Sequence, residues 1–121
     1  MVSVVWVVSG VLAAVYLVSG GRKIVLRYAG ARATQPWVAD VTPGTFRLIA
    51  GVEIAGALAL IFPVALDIVP LFAPLAALGL AILQAVAIAV HVNHREFRVL
   101  PVNIVLLVMA AFVAIARFNG V

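Results

Sequence analysis

Glu53 stands in an apolar run, Ala50-Gly51-Val52-Glu53-Ile54-Ala55-Gly56, and a carboxyl group in such a setting has to be explained. An ionisable side chain inside a membrane span is costly, and usually faces the interior of a bundle with a partner. Loss of water disfavours the charged carboxylate, so Glu53 is expected either to hold a proton or to be paired with a base. Two kinds of chemistry suit it: orienting a ligand through hydrogen bonds, or giving up a proton as a general acid.

The candidate partners lie at similar depth on other apolar runs. Glu53 is six positions after Arg47, about 9 Å along a helix axis at 1.5 Å per residue. Lys23 ends the first run, His91 and Gln84 lie seven apart on one face of the third, and Asn103 begins the fourth. Ser9, Tyr16 and Lys23 repeat the seven-residue stripe on the first run, with Ala13 and Gly20 between them. That is the pattern of a helix packed inward through small residues. Gly51 and Gly56 are expected to bring the same smallness beside the acid. The residues to test are therefore Glu53 and His91 as the reactive pair, with Tyr16, Lys23, Arg47, Gln84 and Asn103 as ligand-binding groups.

Each of these residues also has a plainer use. Arg22, Lys23 and Arg27 suit helix ends whose long side chains reach out to phosphates. His91 is followed within a turn by His94 and Arg95, as in an interfacial segment, and an asparagine such as Asn103 often serves only to join helices. Trp6 suits an interfacial anchor. No metal site is expected: His91 and His94 can share a face, but there is no further histidine or cysteine and Glu96 lies off that face. No glycine-rich phosphate loop follows a strand, and no Ser-His-acid set is suitably placed.

The elements that must position these residues follow from composition. Of 121 residues, 67% are hydrophobic and 10% are charged, against about 25% charged in soluble domains. Four apolar stretches, about 2–21, 47–62, 71–92 and 101–117, approach or reach the length needed to span hydrocarbon. Apolar runs without polar alternation span as helices and not as barrel strands. The expected fold is all-α, an integral membrane four-helix transmembrane bundle forming a single domain over 1–121.

Punctuation fits this division. Gly20-Gly21 before Arg22-Lys23 is expected to close the first helix. Pro43-Gly44 marks a turn before the second, Pro63 and Pro70 bracket the link to the third, and Pro101 suits the first turn of the fourth. The link over 22–46 is expected to hold a helix extension or a short interfacial segment, with Tyr28 and Trp37 at headgroup level.

The first link and its edges hold Arg22, Lys23, Arg27, Arg32 and Arg47, and the third holds Arg95 and Arg98. By the positive-inside rule, the first and third links are cytoplasmic and both termini lie outside the cell membrane. The N-terminal run has neither a basic leader nor a small-residue cleavage site before Arg22, so it reads as a retained anchor. The net charge of +4 comes from bases flanking apolar runs and not from a continuous basic face, so no nucleic-acid partner is expected. With no cysteine, thiol redox chemistry and disulfides are excluded.

Several segments, taken in order, carry a resemblance. They are Ser19-Gly20-Gly21-Arg22-Lys23, then Phe46-Arg47-Leu48-Ile49-Ala50-Gly51-Val52-Glu53 continuing to Leu58, Phe62-Pro63, Pro74-Leu75-Ala76-Ala77-Leu78-Gly79-Leu80, Ala89-Val90-His91 before Arg95-Glu96, and Asn103 with Arg117-Phe118. This ordered set resembles the DoxX-like family of four-helix membrane proteins. The resemblance implies Lys23, Arg47, Glu53, His91 and Asn103 as site residues. It also implies the setting of that family, whose name comes from subunits associated with quinone-linked oxidoreductases and whose other members resemble assembly or accessory proteins.

Three functions are consistent with these features. The first is an accessory component of a membrane redox system that binds a lipophilic ligand such as a quinone around Glu53. The second is a scaffold or assembly factor holding membrane protein partners or further copies of itself. The third is an enzyme using Glu53 as general acid on an isoprenoid or epoxide substrate.

Overall fold

Backbone polar groups in lipid have no water to bind, so long apolar runs must satisfy them internally. In the computed structural model, which describes residues 1–121, they do so as four helices: α1 (Val2–Thr34), α2 (Pro43–Ala65), α3 (Phe72–Asn93) and α4 (Leu100–Phe118). Short 3-10 segments, Pro36–Asp40 and Phe97–Val99, lie in the first and third links. Each of the four helical spans is long and apolar enough to cross a membrane, and the chain is an all-α, multi-pass membrane protein.

Burial is inverted relative to a soluble bundle. Only 25 of 121 residues are buried, while Val7, Val18, Leu48, Ile82, Val108 and Ile115 are among many large apolar residues on the outside. Such an apolar exterior marks a membrane interaction surface. The core is built from Leu12, Tyr16, Leu60, Leu80, Leu106 and Val113 with alanines 13, 57, 77, 81, 110 and 114 between them. Small residues let helix backbones approach where hydrophobicity gives no preference for protein over lipid. Antiparallel α1 and α2 pack along one another, as do α3 and α4; α2 meets α3 less closely, and the α1–α4 seam is the sparsest in the ring.

Two expected boundaries are corrected. The first helix does not close at Gly20-Gly21; α1 runs on to Thr34, with one break at Arg27 (φ 58, ψ 174). Gly20 is there for contact and not for capping: a Cβ on it would sit 2.8 Å from Ile54 Cγ1 and 2.9 Å from the Ala50 carbonyl oxygen. Nor does Pro63 bound the second link. It lies inside α2, whose last turn carries on to Ala65, with the Leu66 N–H donating to the Phe62 carbonyl at 2.9 Å. The start of α2 follows its sequence: the Thr42 side chain accepts from the Thr45 N–H at 3.1 Å, and Pro43 occupies the first turn. Pro101 does the same for α4.

Beyond Arg27 the first link folds into a small second core of Ala31, Val38 and Phe46, joined by Tyr28, Trp37 and Val41. The Tyr28 hydroxyl donates to the Val41 carbonyl at 2.7 Å, and its ring meets Phe46 edge-on at 5.9 Å. Trp37 reaches across to His91 of α3, with ring centroids 6.4 Å apart. Asp40 pairs with His94 at 2.7 Å, but Asp40 is mostly exposed. An exposed pair contributes little, so the aromatic cluster is the main tie. The first link thus caps the end of the bundle where most bases lie.

Candidate functional site

Under this cap lies a cavity of about 620 Å³. Its wall is mostly aliphatic, with polar side chains from every helix: Tyr16, Ser19, Arg22 and Lys23 from α1, Glu53 from α2, Gln84 and His91 from α3, and Asn103 from α4. Sequence depth alone brought these faces to the same level, and the fold turns them toward one another.

The acid meets its base where α1 and α2 come closest. Lys23 Nζ donates to Glu53 Oε1 at 2.6 Å and to Ser19 Oγ at 2.9 Å. Glu53 is 3% exposed. Gly20 permits the approach, since a side chain there would collide with the turn of α2 that carries Glu53. The glycine expected to do this, Gly51, is exposed with nothing near its Cβ position, and Gly56 instead packs on Leu80 of α3. The two opposite charges cancel locally, which a low-dielectric interior demands.

Six buried side-chain polar atoms lack a well-formed hydrogen bond within the protein, and three of them belong to side chains of this wall, where the Tyr16 hydroxyl and the Gln84 amide are neighbours. The three are Tyr16 Oη, Gln84 Oε1 and Asn103 Nδ2. Leaving one buried polar atom unpaired costs about 1–3 kcal/mol. Three such atoms in the wall of one cavity, beside an ion pair, form a set that can hold a guest: hydroxyl and amide donors, an amide acceptor and a carboxylate.

His91 is half-buried at the cavity edge, its Nδ1 3.2 Å from Glu96 Oε1. Glu96 therefore does not lie off the His91 side. Arg95, at φ 57, turns the chain back so that the acid returns toward the end of α3. His94 goes to Asp40, so the two histidines have separate partners. Arg47 is exposed and is not part of the cavity wall. At the opposite end of the bundle Trp6 lies under Arg117, whose guanidinium carbon is 4.8 Å from the ring centroid.

The sequence profile of the DoxX-like family matches residues 7–113. The chain belongs to the DoxX-like family. All the polar residues of the cavity fall within the matched span of this DoxX-like protein, so the cavity is built from family sequence and not from an appended tail. No curated protein and no solved structure compared with the chain matches it.

Sequence reasoning missed Ser19, Arg22, Gln35, Trp37 and Thr45 as cavity residues. Ser19 was within reach, because it precedes Lys23 by one helical turn on the same face. Gln35 and Trp37 were not, because they arrive only through the fold of the first link.

Proposed function

We propose that this DoxX-like protein binds a lipophilic molecule with a neutral polar head, such as a quinone, in the cavity around Glu53, as an accessory to a membrane redox system. The observation that carries this reading is the convergence of Tyr16 Oη, Gln84 Oε1 and Asn103 Nδ2, buried and without a well-formed hydrogen bond, in a mostly apolar wall beside the Lys23–Glu53 pair. Few convergent polar groups in an apolar pocket of about 300–1,000 Å³ are the usual features of a small-molecule site. Tyr16 and Asn103 donate to a head carbonyl, Gln84 and Glu53 accept from a head hydroxyl, and Lys23 holds Glu53 in place. His91 shapes the cavity edge; Arg47, outside the wall, has no part in binding. The redox setting comes from the family resemblance and not from the geometry.

The Lys23 ion pair supports binding over proton donation, because a carboxylate 2.6 Å from an ammonium group has no proton to give as a general acid. The cavity end carries Arg22, Lys23, Arg27, Arg32, Arg47, Arg95 and Arg98. By the positive-inside rule that end faces the cytoplasm and both termini lie outside.

Mass spectrometry of small molecules retained by the protein from native membranes tests the reading. Wild type is expected to carry a lipophilic compound that is not a phospholipid, in near-stoichiometric amount, and Asn103→Leu and Glu53→Gln to lose it. Bulk phospholipid alone, the same in all three, counts against it.

A second reading, a scaffold for a partner helix or a further copy of the chain, draws on a shallow outer groove between α2 and α3. It is lined by Val52, Ala55, Gly56, Ala59, Ala76, Gly79 and Leu80. Small residues on a lipid-facing surface suit close helix packing. A protein that migrates from native membranes as a single chain would remove the support for this reading.

A further inference from the structure

The cavity is closed on its cap side and open on its lipid side, and this asymmetry constrains the shape of what it holds. Gln35, Trp37 and Val41 of the first link form part of its wall. They are fastened by the Tyr28–Val41 hydrogen bond and the contact between Trp37 and Phe46. The opposite side is different. Val15, Ser19, Arg22 and Leu26 line the cavity from α1 at spacings of four, three and four, a single stripe along the helix. The flank of α1 that holds Gly20 is committed to α2, so this stripe lies on the other flank, toward α4. Val99, Val102 and Leu106 line the cavity from α4.

Several of these wall residues are at the same time surface residues. Val15 is 36% exposed, Leu26 42%, Val99 40% and Val102 59%. A side chain that both lines a cavity and faces outward marks an opening; these four flank the sparsest seam of the ring, and Val86 of α3, 56% exposed, and the exposed Thr45 of α2 mark further open wall on the other side. The seam rim is aliphatic except for Ser19 and Arg22.

We infer that the ligand is a chain-bearing amphiphile: its neutral polar head sits against Tyr16, Gln84, Asn103 and the Lys23–Glu53 pair, and its hydrocarbon chain leaves through the α1–α4 seam into the bilayer. This rests on the binding reading given above and adds the shape of the ligand and the route of its chain. A cavity of about 620 Å³ lies in the range that takes a drug-sized ligand whole, so a ring-sized head and a short chain fit inside it. A longer chain needs the exit, and an aliphatic seam facing lipid removes any cost of leaving it half outside the protein. The Lys23–Glu53 pair is neutral as a unit, so the inner end of the cavity suits an uncharged head, while Arg22, the wall cation without an acidic partner, lies at the seam rim.

The test uses the full chain in nanodiscs of neutral phospholipid, with two probes sharing one benzoquinone head, one bearing a polyprenyl chain too long for the cavity and one bearing none. Trp37 lines the cavity and the only other tryptophan is Trp6, so a Trp6→Phe background makes Trp37 the single reporter of quinone quenching. Val15→Phe with Val102→Phe fills the seam, while Ile82→Phe, on the exposed face of α3 and outside the cavity wall, is the control. The seam variant is expected to weaken the chain-bearing probe by about tenfold or more and to leave the chain-free probe unchanged; Ile82→Phe is expected to change neither. Retained binding of the chain-free probe also shows that the seam variant is folded. Equal effects of the seam variant on both probes, no effect on either, or a loss of the chain-bearing probe through Ile82→Phe would overturn the chain route while leaving the binding reading in place. Failure of both probes to quench Trp37 in the wild-type cavity overturns the quinone-type head and the chain route with it.

Discussion

At the scale of single residues, a carboxylate has to be kept inside an apolar bundle. Glu53 is buried, and its ammonium partner Lys23 is held in turn by Ser19. Removing one member of a buried pair leaves the other uncompensated and costs about 3–5 kcal/mol, whereas replacing both with apolar residues is often neutral. Lys23→Met is therefore expected to lower stability by about that amount, and Lys23→Met combined with Glu53→Leu to restore most of it. Reversible unfolding in mixed micelles measures both, and a double variant as unstable as the single one would show that the pair is not what the bundle requires. The family resemblance implied Arg47 as a site residue, but six positions do not bring it to the helix face of Glu53, and it is exposed outside the cavity wall.

At the scale of elements, two positions govern how α1 is used. Gly20 sits where α1 and α2 nearly touch, while Gly51 faces open space. Gly20→Ala forces a methyl group against a backbone carbonyl and is expected to destabilise by about 1–3 kcal/mol, with Gly51→Ala close to neutral; thermal denaturation of the two variants compares them. The break at Arg27 has φ 58 and ψ 174, a region that side-chain-bearing residues rarely enter. It lets the chain leave the bundle axis and lay the first link over the cavity. Arg27→Gly is expected to keep the fold and raise stability by about 1 kcal/mol, and a lower unfolding midpoint would contradict that. Glycines misled the reading of this element because a glycine pair before two bases suits both a helix end and a close helix contact. Only the position of the neighbouring helix separates the two.

At the scale of the whole molecule, composition made the architecture legible: few charges and four long apolar runs leave a helical membrane bundle as the physical solution. The polar cluster was legible in part. Depth placed Lys23, Glu53, His91 and Asn103 at one level, and the stripe through Tyr16 pointed inward, but the contribution of Gln35 and Trp37 depends on a turn at Arg27 that no periodicity announces. Orientation is open to a simple check, since the chain lacks cysteine. With the basic end inside, Asn119→Cys is expected to react with an impermeant maleimide added to intact cells and Ala33→Cys only after lysis; the reverse pattern would invert the topology. The central claim, that the cavity exists to hold a polar-headed lipophilic guest, is tested most directly by a high-resolution density map of the protein in nanodiscs made from native membranes. The account predicts non-phospholipid density within hydrogen-bonding distance of Tyr16, Gln84 and Asn103, above an intact Lys23–Glu53 pair. Those three side chains satisfied by one another, or Glu53 turned outward to the acyl chains, would contradict it.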